Sequence, residues 1–262
     1  MRPKFRVLLV MLALAAGCQT FTPVKQNATP FTEKSDFREW FSHYYANPAP
    51  ERVTEALRYM QANHYLEQAP EVAAVFLAKV FARNEASLPA WTHDWQTLSP
   101  LEWDVILPAL WLSGTEQGQA LAKANLGHAD SAQQERLKSL FLIAPKNLEP
   151  LAVDVVDPRQ INLLWGAYDA TGDIRYVQKV IANVATYGDN DQRAAAIGEM
   201  AILTLAANMT VHTAVAVAVN DADKNNPNPR VRLLIQAMLE AVNETQAQTL
   251  PAQAPNEDDS GT

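Results

Sequence analysis

Five histidines (His43, His64, His93, His128 and His212), a single cysteine (Cys18) and six tryptophans carry most of the chemistry this sequence offers. Glu39 and His43 stand four residues apart, which on a helix puts a carboxylate and an imidazole on one face in a metal-capable arrangement. A metal needs at least a third ligand, and no further His or Cys sits at ligand spacing beside them. The pair therefore reads first as a surface i, i+4 contact. There is no His-Glu-x-x-His, no Gly-x-Ser-x-Gly, no phosphate-cradling glycine loop and no Cys-x-x-Cys. No catalytic residue, metal ligand or cofactor is assigned on this basis.

The other concentration is aromatic. Trp91, Trp95, Trp103 and Trp111 fall between positions 91 and 111, with His93 and Asp94 among them. Trp91 and Trp95 share a face if the segment is helical. Exposed, these rings would form a platform for stacking sugars or anchoring a partner, because tryptophan is enriched where binding energy concentrates. Buried, they would fill a helical layer, and that is the stronger of the two readings.

Length and charge narrow the function classes. The chain has 262 residues, 48% of them apolar and 19% charged, with 21 basic and 29 acidic side chains for a net charge of −8. That is ample for a packed core. An acidic chain repels phosphate backbones, so nucleic acid is excluded as an expected partner. Nine glycines, few β-branched segments and abundant Ala, Leu, Gln and Glu favour helix over sheet.

The first eighteen residues give the clearest signal. Arg2, Lys4 and Arg6 precede the apolar run Val7–Ala16, and then come Gly17 and Cys18. A short basic segment feeding about ten apolar residues has the form of a secretory signal, too short to span a bilayer comfortably. Ala15-Ala16-Gly17 before Cys18 resembles the lipobox of bacterial lipoproteins, although Leu is more usual three residues ahead of the cysteine. The resemblance implies cleavage before Cys18 and acylation of its sulfur and its new amino group, so a lipid bilayer is the first expected partner. Cleavage would remove 17 of 262 residues to leave 245, and with the three cations gone the charge passes from −8 to −11. Lipidation would also consume a lone thiol that is a liability in an oxidising compartment. Gln19, rather than Asp, after the cysteine favours the outer membrane.

Four segments follow: a signal peptide over 1–17, a lipidated end and flexible tether over 18–32, a helical body over 33–246, and a polar, acidic, disordered tail over 247–262. Within the body, Phe37, Trp40, Phe41 and Tyr44 form a helical stripe, and Pro50 and Pro70 open further helices. Ser99-Pro100-Leu101-Glu102 has the form of a capping box with proline at the first turn, and Asp157-Pro158-Arg159-Gln160 repeats that logic. Gly172 marks a helix end and Asp173 a new start. Val211–Val219 alternates Val and Ala in the pattern of a buried strand, but no partner strand is evident, so a buried helix is the preferred reading.

The helices come in pairs joined by short connections, which is the grammar of α-solenoids. Leu164, Trp165 and Tyr168 ahead of Gly172-Asp173 resemble the turn of a tetratricopeptide repeat, with Val177, Ile181 and Val184 departing from the family's usual residues. Leu110–Leu121 with Gly114 is a weaker echo. The expected fold is all-α, either a helix-pair solenoid or an irregular helical bundle. The expected role is a membrane-anchored, non-catalytic scaffold that holds an envelope protein in secretion, pilus or outer-membrane assembly. The alternative is a peptidoglycan- or glycan-binding accessory protein that uses the tryptophans.

Overall fold

Thirteen α-helices and no strand make up residues 30–249, the part of the chain that the computed structural model describes. Cys18, the signal segment and most of the expected tether and acidic tail lie outside the described residues. In chain order the helices are α1 (Lys34–Ser42), α2 (Val53–Ala62), α3 (Tyr65–Gln68), α4 (Pro70–Arg83), α5 (Leu88–Asp94), α6 (Pro100–Leu112) and α7 (Glu116–Ala124). They continue with α8 (Ser131–Leu140), α9 (Arg159–Thr171), α10 (Ile174–Asn183), α11 (Gln192–Met209), α12 (Thr213–Asn225) and α13 (Pro229–Thr249). No helix among the described residues is long and apolar enough to cross a membrane.

Local sequence explains where the helices start and stop. At α6 the Ser99 side chain accepts from the third helical residue, while Ser99 N donates to Glu102 Oε2 at 2.8 Å, so two orphan donors are satisfied reciprocally. Ahead of α9, Asp157 N donates to Gln160 Oε1 (3.1 Å) and Arg159 N to Asp157 Oδ1 (2.9 Å). Gly172 ends α9 at φ +67°, a conformation glycine adopts without steric cost, and Asp173 Oδ1 then accepts from Arg175 N (3.0 Å) to start α10. The Val-Ala segment is helical and belongs to α12.

The helices build two apolar cores. The first is aromatic, with Phe37, Trp40, Tyr44, Phe76, Phe81, Trp95, Trp103 and Trp111 packed among α1, α2, α4 and α6. The second is largely aliphatic, with Ile161, Val177, Val180, Ile197, Ala201, Val215, Val219 and Ile235 between α9 and α13. α4 belongs to both, packing on α6 on one side and on α9 on the other. That position explains why PEVAAVFLAKVFAR is apolar nearly all round, and why Phe76, Leu77, Val80 and Phe81 lose all contact with solvent. Each such burial contributes about 1.5–3 kcal/mol. From α9 onward each helix packs on its neighbours in sequence, whereas α4 and α9 meet across four intervening α-helices. The first half is thus a bundle and the second a stack.

Phe31 corrects one expected boundary. It was placed in the tether over 18–32, yet it is buried against Phe37 (ring centroids 5.4 Å) and Trp40 (5.5 Å), with the Arg52 guanidinium 3.7 Å above its ring. Arg52 is held there by paired bonds to Asp36 (3.0 and 2.7 Å), and its guanidinium keeps the Asp36 carboxyl below the usual range. Among the described residues, Phe31 therefore belongs to the packed body. At the other end α13 runs to Thr249, into the first residues of the expected tail.

Candidate functional site

The described residues form a groove of about 790 Å³ over α6. Its floor is one face of that helix: Leu101, Asp104, Val105, Pro108 and Leu112, at the spacing that lines up a single helical stripe. Eleven steps of the α-helical rise from Leu101 to Leu112 make this stripe about 16 Å long. One wall comes from α3 and α4 (Leu66, Glu67, Glu71, Ala74 and Val75) and the other from α8 (Gln133, Arg136 and Leu140), with Leu148 and Leu163 closing one side. The lining is aliphatic except for Glu67, Glu71, Asp104, Gln133 and Arg136.

Asp104 is the anomaly in that floor. Its Oδ1 is covered and has no hydrogen-bond partner among the described residues. Burial pushes its carboxyl above the usual range, Asp130 pushes it the same way, and Arg136 opposes them. Pro108, four residues on, carries no N–H, so the ordinary helical bond onto the Asp104 carbonyl cannot form. Arg136 forms no ion pair with Asp104, and its Nε donates to Gln133 Oε1 at 2.6 Å. What the arrangement offers is an apolar trough with one unsatisfied acidic spot a turn in from its Leu101 end.

A second polar cluster sits where the two cores meet. His212, at the head of α12, places Nε2 3.6 Å from Asp169 Oδ1 on α9, and its Nδ1 lies 3.4 Å from the Tyr45 hydroxyl. Its ring is 4.9 Å from that of His43, whose Nδ1 is 3.3 Å from Glu39 Oε1. Tyr168 lies edge-on to His212 at 5.4 Å. Burial drives the Asp169 carboxyl well above its ordinary range, while burial and the facing His43 pull His212 down to about 4. The Asp–His–Tyr order looks catalytic, but His212 is 2% and Asp169 8% exposed, so both side chains are closed off from solvent. Nor does any group of three or more His, Cys, Asp or Glu side chains among the described residues suit a metal. The cluster ties segments together. Tyr45 N donates to Asp169 O (3.1 Å), and Arg83 donates to Ala170 O (2.7 Å) and Thr171 O (3.0 Å), which satisfies the open carbonyls at the end of α9.

The residues singled out from sequence fall elsewhere. Trp95 and Trp103 are wholly buried and Trp111 nearly so, and they point into different contacts rather than a common platform. Trp95 Nε1 donates to Thr54 Oγ1 (2.9 Å), Trp103 stacks on His128 (4.3 Å), and Trp111 Nε1 donates to Ile143 O (3.1 Å) while its ring packs on Phe141. Only Trp91 keeps appreciable exposure, at 6.0 Å from Trp95. A sugar needs a free ring face, so the four do not make a stacking surface. Sequence reasoning missed the groove, although Asp104, set between Trp103 and the apolar run Val105–Leu112, and Pro108 within a helix were both visible signals. Glu39 and His43 were noted, but their meeting with His212 joins residues too far apart in the chain to be read. Comparison with protein-family models, characterised proteins and solved structures finds no match for this chain.

Proposed function

We propose that this chain is a lipid-anchored adaptor of the bacterial cell envelope, held to the bilayer through acylated Cys18, whose helical body docks an apolar helical segment of another envelope protein. The anchor rests on the basic, apolar and Gly17-Cys18 pattern of the first eighteen residues. Two or three acyl chains suffice for stable attachment. The docking role rests on one observation, the groove. Its floor follows a single helix for about three turns between two helical walls, which is the shape that accepts an amphipathic helix laid lengthwise. The glycan-binding alternative loses its main support, because three of its four tryptophans are core residues.

The test has two parts. Mass spectrometry of the membrane-extracted chain should find Cys18 as the first residue, bearing diacylglycerol; a free thiol or a different start removes the anchor. Purification through the groove-blocking variant Leu140→Arg should lose a protein that copurifies with the unaltered chain in stoichiometric amount, while the melting temperature stays within a few degrees. Equal recovery with both chains removes the docking role.

A further inference from the structure

We infer that the helix accepted by this groove carries a lysine or arginine on its buried face and that Asp104 recognises it. The inference rests on the docking role proposed above and names the chemistry of the partner. The groove floor over Leu101, Val105, Pro108 and Leu112 is apolar, so a wholly apolar helix would cover most of it well. The same helix would seal Asp104 away from water with its Oδ1 already lacking a partner and its carbonyl without the usual helical donor. Sealing an unsatisfied carboxylate is among the costlier things an interface can do.

The surroundings choose the sign of the remedy. Glu67 and Glu71 line the facing wall, and Asp130 caps the start of α8, where its Oδ1 accepts from Gln133 N at 2.8 Å. Arg136 is the one cation lining the groove, and its guanidinium is engaged with Gln133 rather than Asp104. An acidic segment meets three or four carboxylates. A basic side chain on the incoming helix brings several N–H donors and a charge opposite to that of the site. A lysine or arginine flanked by leucines is therefore both attracted to the groove and able to satisfy the acceptor that the fold leaves open. The register follows as well: the cation belongs one turn from the Leu101 end of the stripe, with apolar residues opposite Val105, Pro108 and Leu112.

The experiment uses the full acylated chain in detergent and a set of synthetic amphipathic helices of about fourteen residues, long enough to cover the 16 Å floor. All share one leucine–alanine face. They differ at a central buried position (lysine, norleucine or glutamate), with the lysine also walked to the two adjacent turns. We expect one lysine register to bind about tenfold more tightly than norleucine and glutamate to bind most weakly, with Asp104→Asn abolishing the lysine advantage while norleucine binding stays or improves. A lysine advantage that survives in Asp104→Asn, or equal binding of lysine and norleucine in every register, overturns the Asp104 assignment and leaves the groove as an apolar dock. Failure of every peptide to bind, or binding unchanged by Leu140→Arg, overturns the docking role itself. Copurified fatty acid filling the groove does the same, because it makes the trough a lipid site.

Discussion

The two halves of the body solve the same packing problem with opposite means. The first half fills its core with large rings around α4 and α6, such as Trp95, Trp103, Phe76 and Phe81. The second brings backbones close with small and β-branched residues along α10, α11 and α12. At Gly198 a Cβ would lie 2.1 Å from Tyr187 N, so α11 lies against the backbone of the preceding turn. The difference bears on function. Bulky side chains hold helices apart, and in the first half they leave a trough over α6. Close backbone approach instead sets α11 directly on the turn before it, as at Gly198, while the groove of about 790 Å³ lies over α6.

That contrast is breakable. Trp95→Ala should cost about 4 kcal/mol of unfolding free energy in a denaturant titration, since a fully buried ring and its bond to Thr54 disappear together. A loss under about 1 kcal/mol would mean that the aromatic core does not support the first half. In the second half the damaging change is an addition. Gly198→Ala should destabilise by about 3 kcal/mol, because a methyl group meets backbone that cannot rotate away. At the joint, Gly172→Ala meets both a positive φ and the Tyr45 ring 2.7 Å from the new Cβ, and should cost about 2 kcal/mol.

The joint also sets a pH signature. Asp169 folds with its carboxyl raised far above its ordinary 3.8, so the folded state binds more protons than the unfolded one and stability falls as pH climbs past 3.8. His212 is lowered from 6.5 to about 4, so the unfolded state binds more protons in that window and stability rises with pH across it. The two slopes oppose each other above about 4, so the unaltered chain should show a weaker net dependence there than either single variant. Asp169→Asn should leave only the rise between 4 and 6.5 followed by a plateau, and His212→Gln only the decline. Matching profiles for all three chains would show that the pair does not titrate as a unit across the joint. The smallest expected effect is at Trp91, whose partial exposure should hold Trp91→Ala to about 1 kcal/mol, well below Trp95→Ala.

The sequence made the helices legible wherever their ends are decided locally. Ser99 and Glu102, Gly172 and Asp173, and the prolines at 50, 70, 100 and 229 each act within a few residues of themselves, so their roles can be read from the string. The Val-Ala stretch of α12 shows the limit: its alternation suits a strand, and only the lack of a partner strand favoured the helix it forms. Phe31 was mistaken for tether because the residues that bury it, Phe37, Trp40 and Tyr59, include one nearly thirty positions away. The tryptophans were close in sequence but face different neighbours, since the contacts of α5 and α6 depend on helices further along the chain. The groove was least legible of all. It is a space left between α4, α6 and α8, and no local pattern encodes the distance between helices.

We propose that this trough holds a partner's helix while the chain is anchored in its membrane. A photoreactive residue is placed at Leu101 on the floor, at Leu140 on the α8 wall, and at exposed Leu233 on α13, in the full-length chain within intact cells, and the crosslinked peptides are mapped by mass spectrometry. Leu101 and Leu140 should label the same short segment of one envelope protein, amphipathic and with a basic residue on its apolar face, and Leu233 should not label it. Adducts to lipid alone, or the same products from Leu233 as from the groove, would contradict the proposal.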